Sequence, residues 1–229
     1  MLKINHMGAC YGESHVIREL SLEVPDQKIV CLIGRNGVGK STTLKSIMGL
    51  VKTPEGQILL EDTDMIRMPT YDRVKLGIGY VPQGRDIFPQ MTVQENLELG
   101  LMTSGEKEVP EYIYELFPIL PSFAKRKGGD LSGGQQQQLA IARALVTKPK
   151  ILILDEPTEG IQPSIIESIG DAIQRVNKEL GITVFIVEQY LDFVLGISDY
   201  VYLMEKGQIV TQGATKELSA EELQKMMTA

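Results

Sequence analysis

Eight contiguous residues, Gly34-Arg35-Asn36-Gly37-Val38-Gly39-Lys40-Ser41, separate an apolar run at 29–33 from a helically spaced stretch at 41–48 that Gly49 ends. A strand feeding a glycine-rich turn and then a helix suits few purposes, and each residue type here has a physical task. The glycines let backbone N–H groups converge on phosphate oxygens without side-chain clash. The turn opens onto a helix N-terminus, whose unpaired amides and dipole favour anions. Lys40 adds a compact positive charge for β and γ phosphates, and the Ser41 hydroxyl can ligate Mg²⁺. Gly34, Arg35, Asn36, Gly37, Val38, Gly39, Lys40, Ser41 and the adjoining Thr42 are therefore the candidate nucleotide contacts.

The rest of the chain reads as the sheet that such a loop needs. Residues 151–154 and 183–187 repeat the apolar pattern with helical stretches between them, which predicts a mainly parallel α/β sheet covered on both faces. Residues 200–204 and 208–211, joined across Lys206-Gly207, predict an antiparallel hairpin. From about 83 to 150, Pro and Gly cluster around helical stretches at 93–102 and 110–117. Candidate nucleotide residues fall on both sides of that segment, so it reads as a helical lobe inserted into one unit. The expected division is a core from about 1–83 and 151–213, a helical subdomain from about 84–150, and a C-terminal helix within 214–229.

Composition removes several classes of function. The 23 Lys and Arg against 30 Asp and Glu leave a net charge of −7 with no basic block, which argues against nucleic acid as a partner. The longest strictly apolar runs are five residues, where a membrane-spanning helix needs about 20. Two cysteines, Cys10 and Cys31, are too few for a disulfide framework or a zinc cluster. His6 and His15 have no acidic or cysteine neighbours at metal-ligand spacing. A cytoplasmic protein is the expectation.

Two further motifs carry chemistry. The strand at 151–154 ends in Asp155-Glu156, placing both carboxylates at the carboxyl edge of a parallel sheet, where ligands bind. Asp155 would hold Mg²⁺ and Glu156 can accept a proton from an attacking water. Leu131-Ser132-Gly133-Gly134-Gln135 then opens a helix running to about Val146, an anion cradle of exposed amides and a hydroxyl. A plain serine cap with a glycine hinge is the other reading of that segment. The chain therefore carries two phosphate cradles but one phosphate loop.

At these residues the sequence resembles the ATP-binding cassette family, over positions 2–213, with several motifs in the family's order. The resemblance implies a P-loop NTPase, RecA-like fold: a mainly parallel α/β core, an antiparallel β subdomain and an inserted helical subdomain. It implies ATP and Mg²⁺ as ligands and a second ATP-binding subunit as partner, in a homodimer or heterodimer. Leu131, Ser132, Gly133, Gly134 and Gln135 would close over the γ-phosphate held by that partner. Tyr11 matches the aromatic that stacks on adenine. Gln83 matches the loop glutamine that reaches Mg²⁺ and water, so the implied metal set is Ser41, Gln83 and Asp155. The implied catalytic set is Glu156, Lys40, Gln83 and Gln189. Residues 83–89 would meet membrane permease subunits at the inner face of the cell membrane, and a solute-binding protein would act through those subunits. Ile87 and Phe88 are the candidate apolar contacts there, with packing inside the chain's own lobe as the other reading.

Two positions depart from the family pattern. The switch position, usually histidine, is Gln189, whose amide donates a hydrogen bond but takes up no proton. The loop Glu159-Gly160-Ile161-Gln162 lacks the usual final aspartate, which favours a pair of different subunits. Within the family, residues 159–165, the run 135–138 before Leu139, and residues 188–193 look like the second ATP-binding subunit of urea importers, in the branched-chain amino-acid uptake branch. The expected function is an importer ATPase acting for urea or a short amide, with branched-chain amino acids next. The alternatives are a soluble cassette ATPase acting on nucleic acid or ribosomes, and a small-molecule kinase, which leaves residues 131–135 unexplained.

Overall fold

The structure, a computed structural model, describes residues 1–228; Ala229, the end of the segment read as the C-terminal helix, lies outside the described residues. The chain begins with β1 (Leu2–Tyr11), β2 (Ser14–Val24) and β3 (Ile29–Ile33), followed by α1 (Lys40–Ile47). It continues through β4 (Lys52–Leu60), β5 (Thr63–Asp64), α2 (Thr70–Lys75) and β6 (Ile78–Val81). The helices α3 (Val93–Ser104), α4 (Glu111–Leu116), α5 (Ile119–Ser122) and α6 (Gly133–Val146) come next. The remainder is β7 (Ile151–Asp155), α7 (Pro163–Leu180), β8 (Thr183–Glu188), α8 (Leu191–Ile197), β9 (Tyr200–Glu205), β10 (Gln208–Ala214) and α9 (Ala220–Thr228).

Six strands form one sheet in the order β10-β9-β3-β8-β7-β6. All neighbours in it are parallel except the terminal hairpin of β9 and β10. The apolar runs lie at its centre because side chains alternate across a strand and both faces are covered. Ile29, Cys31, Ile33, Leu152, Leu154, Val184 and Ile186 face a core built with the helices. Val30, Leu32, Ile151, Ile153, Phe185 and Val187 face a second core. That second core is closed by an antiparallel sheet in the order β2-β1-β4-β5 and by Leu44 and Ile47 of α1. The fold is thus the mixed α/β arrangement expected, with an antiparallel β part on one face and helices α3–α6 inserted between β6 and β7.

The strands at 151–154 and 183–187 run one residue further than their apolar stretches, ending on the acids Asp155 and Glu188. Those carboxylates have partners at the sheet edge, so the ladder continues through them. Helix α1 ends on Arg73, which is 2% exposed and donates to the carbonyls of Ser46, Ile47, Ile66 and Met68 at 2.6–3.1 Å. Two of those are carbonyls that a helix C-terminus leaves without intrahelical donors. Among the described residues no helix is long and apolar enough to cross a membrane. Cys10 and Cys31 are both buried and unbonded to each other.

Candidate functional site

Register sets the site. Ile33 pairs with Glu188 and Val187 with Asp155, while Val81 pairs with Leu154, so β3, β8, β7 and β6 end side by side. Each hands its next residues to the same edge: the loop 34–39 from β3, Gln189 from β8, Glu156 from β7 and Gln83 from β6. The loop leaves β3 tightly. A Cβ on Gly34 would lie 2.5 Å from the carbonyl oxygen of Met204, so only glycine passes beneath the neighbouring strand.

Lys40, the first residue of α1, is 3% exposed, and its ammonium has three partners. Nζ donates to the carbonyls of Gly34 at 2.9 Å and Arg35 at 3.0 Å, and pairs with Glu156 Oε1 at 3.3 Å. Ser41 Oγ donates to Asp155 Oδ1 at 2.9 Å, and Asp155 Oδ2 is buried without a partner. Burial raises the Asp155 carboxyl above its ordinary range, the Ser41 hydroxyl draws it down, and the nearby charge of Glu156 pushes it up again. A hydroxyl beside a desolvated carboxylate with an unused oxygen fits Mg²⁺, which takes one or two protein oxygens and completes its shell with phosphate and water.

Glu156 has φ of 47°, a left-handed conformation that costs a non-glycine residue about 1–3 kcal/mol. Its N–H donates to the Val187 carbonyl at 2.9 Å. Gln83 Nε2 donates to Glu156 Oε2 at 3.2 Å and to Glu159 Oε2 at 3.0 Å. The Gln83 side chain therefore differs from the expectation that put it in the metal set. Two carboxylates offer its amide acceptors, and it turns to them instead of to Ser41 and Asp155.

The structure thus brings together Lys40, Ser41, Gln83, Asp155 and Glu156. Gln189 is exposed and lies on the rim of a hollow it shares with Gly34, Arg35, Asn36, Gln224 and Met227. Tyr11 is exposed at the end of β1. Among the described residues no hydrogen bond or ion pair joins residues 131–135 to residues 34–41. Ser132 is exposed at the start of α6 and accepts from the Gln135 N–H at 3.4 Å, while the Gln135 side chain accepts from the Ser132 N–H at 3.0 Å. The plain capping reading is therefore met, on a surface that leaves the helix start open. Gly134 faces inward, where a Cβ would lie 2.7 Å from Ile165 Cγ2. Its missing side chain serves the contact between α6 and α7, a role that reading both glycines as anion contacts overlooked. Ile87 packs against the core and Phe88 is exposed, stacked on the Arg143 guanidinium at 5.1 Å. The two readings of that pair divide between them.

Sequence reasoning passed over Glu188. It is 1% exposed, and its carboxylate accepts from the Thr158 N–H and hydroxyl and from the N–H groups of Gln189 and Tyr190. The available signal was a lone acid closing an otherwise apolar strand immediately before the switch position.

A family pattern described as "ABC transporter" matches residues 17–159. The probable branched-chain amino acid transport ATP-binding protein LivF of Archaeoglobus fulgidus is 40% identical over 225 residues, spanning 97% of this chain and 95% of that protein. The high-affinity branched-chain amino acid transport ATP-binding protein BraG of Pseudomonas aeruginosa is 38% identical over 213 residues, spanning 92% and 91%. Among solved structures, a dimeric post-hydrolysis state of the ATP-binding cassette MJ0796 bound to ADP and Pi superposes with a TM-score of 0.85 at 26% identity, covering 95% of this chain and all of that one.

Proposed function

Because the chain belongs to the ABC transporter family, we propose that it is the ATP-hydrolysing motor subunit of an importer for a small polar solute. The observation that carries the catalytic part is the convergence of Lys40, Ser41, Gln83, Asp155 and Glu156 at the carboxyl edge of the parallel sheet. Relatives named for branched-chain amino acid transport, matched over nearly their whole length, support the importer part.

The loop amides of 34–39 and Lys40 Nζ bind the β and γ phosphates. To do so Nζ leaves Glu156, so phosphate binding itself uncovers the carboxylate that orients water. The oxygen of that water forms the new bond to the γ-phosphorus, the bond to the bridging β,γ-oxygen breaks, and Glu156 takes the proton. The products are ADP and inorganic phosphate. Ser41 and Asp155, with Gln83 turned toward them, would hold Mg²⁺, which when bound neutralises phosphate charge. Gln189 donates its amide to the γ-phosphate. Tyr11 stacks on the adenine. Residues 131–135 close on a nucleotide held by a second ATP-binding subunit, and Gln189 and Gln162 favour an unlike partner.

The groove lined by Met48, Thr70, Tyr80, Phe88, Leu99 and Ala144 is the seat for a permease segment, next to residues 83–89. The chain would then act at the inner face of the membrane, with a solute-binding protein engaging the permease from the other side. The motifs at 159–165 and 188–193 point to urea or a short amide, and the named relatives to branched-chain amino acids. Reconstitution with the co-purified permease in vesicles, followed by ATP-driven uptake of labelled urea and labelled leucine, decides between them. Uptake of neither, with no stimulation of ATP hydrolysis by the permease, rejects the importer reading.

A further inference from the structure

Glu188 is a buried acid that follows four buried apolar residues, Val184 to Val187, and an apolar residue there would avoid the penalty of desolvating a charge. What the carboxylate does instead is divide its two oxygens between two loops. Oε1 accepts from the Thr158 N–H at 3.0 Å and the Thr158 hydroxyl at 2.5 Å, two residues beyond Glu156. Oε2 accepts from the Gln189 N–H at 2.7 Å and the Tyr190 N–H at 3.0 Å. Beside them the Glu156 N–H reaches the Val187 carbonyl. The segment carrying the left-handed Glu156 and the segment carrying Gln189 are therefore fastened to one side chain.

We infer that Glu188 is a positioning residue for ATP hydrolysis, an inference that rests on the ATPase reading above. It acts through the four protein donors that its carboxylate accepts from, not on the reacting atoms. Its carboxylate holds the backbone of 156–158 so that Glu156 keeps its left-handed conformation, and it holds Gln189 in register with it. The base and the γ-phosphate contact are then presented as one unit. All four groups that face it are donors, which suits a carboxylate because an ionised acid only accepts. Glutamine in its place must turn its NH₂ either toward the Thr158 pair, where the hydroxyl can turn to accept but the N–H faces a donor, or toward the two backbone amides, where no acceptor waits. Nucleotide binding depends on Lys40 and the loop after β3; among the described residues no hydrogen bond joins the Glu188 carboxylate to either, so binding is left alone.

The test compares steady-state ATP hydrolysis by the full-length wild type, Glu188→Gln, Thr158→Val and Thr158→Ser, each with the second ATP-binding subunit present. Glu188→Gln is expected to lower kcat by roughly 10²-fold, the scale of a slight misplacement of a catalytic group, while KM for ATP stays within about twofold. Thr158→Val removes one donor at nearly constant volume and keeps the chain testable where Glu188→Gln fails to fold. It should lower kcat about tenfold, again with little change in KM, and Thr158→Ser should recover most of that loss because it retains the hydroxyl. The double variant Glu188→Gln/Thr158→Val should lose no more than Glu188→Gln alone. Wild-type kcat in the folded variants, a KM that worsens in step with kcat, or a serine variant as slow as the valine variant each overturns the inference. A wild type that binds ATP and, with the second ATP-binding subunit present, does not hydrolyse it rejects the ATPase reading itself, a result separate from these.

Discussion

The Lys40 ammonium has three hydrogens and three acceptors, the carbonyls of Gly34 and Arg35 and the Glu156 carboxylate, all at a nearly dry site. Lys40→Met removes the cation and strands the acid. Breaking a buried pair from one side costs about 3–5 kcal/mol, because the remaining charge loses its counter-ion. Thermal melting should therefore show a lower midpoint for Lys40→Met, along with lost ATP binding, and adding Glu156→Gln should restore part of the midpoint but none of the binding. A midpoint unchanged by Lys40→Met would mean the pair is not formed in solution. Gln189 permits a different check. An imidazole gains its proton as pH falls through about 6.5, so Gln189→His should add an inflection near that pH to the rate profile, absent from the wild type. The same inflection in both proteins would assign it elsewhere. The residues of the phosphate loop were legible because their function is contiguous in the sequence. Glu188 and Arg73 were not, since Thr158 and Ser46, the partners that tie them to another element, lie 30 and 27 positions away and only the folded sheet brings them together.

Among the elements, α6 shows how one residue can serve two masters. Its first turn is the one proposed to meet an anion, yet Gly134 is also the place where α6 crosses the start of α7. A methyl group added there meets Ile165, and overpacking of this kind typically costs about 1–3 kcal/mol. Gly134→Ala should lower the melting midpoint and displace the helix start. Gly134→Ala with Ile165→Ala, which makes room, should recover stability. If the double variant is less stable than the single, the contact is not the reason for glycine. The central strands and α6 were readable from apolar runs and caps because each is buried in a regular pattern. β1 and β2 were harder. Their pairing shifts register at several points, and His6 and Glu19 adopt left-handed conformations. The burial of β1 accordingly breaks from alternation after Asn5, so no period of two survives to be read.

For the whole molecule, the proposed site is shared between two chains, because residues 131–135 read as a second anion cradle beside a single phosphate loop. Residues 131–135 open at the surface at Ser132, and among the described residues no hydrogen bond joins them to the loop that carries Lys40. If a second chain brings its own phosphate loop to that surface, closure requires ATP and ends with hydrolysis. Glu156→Gln keeps the shape of the base and removes its proton-accepting charge, so with ATP and Mg²⁺ it should accumulate the closed pair. Light scattering would then read twice the 25.4 kDa of a single chain for a like pair, or the sum of the two chains' masses on adding an unlike second ATP-binding subunit. Ser132→Glu in that background places a carboxylate where a γ-phosphate must sit. It should abolish the pair while leaving ATP binding by its own chain intact, because the phosphate loop is untouched. The two halves of that outcome are needed together. Loss of ATP binding in the same chain would put residues 131–135 at that chain's own nucleotide, and a persistent single-chain mass with the partner present would remove the shared site altogether.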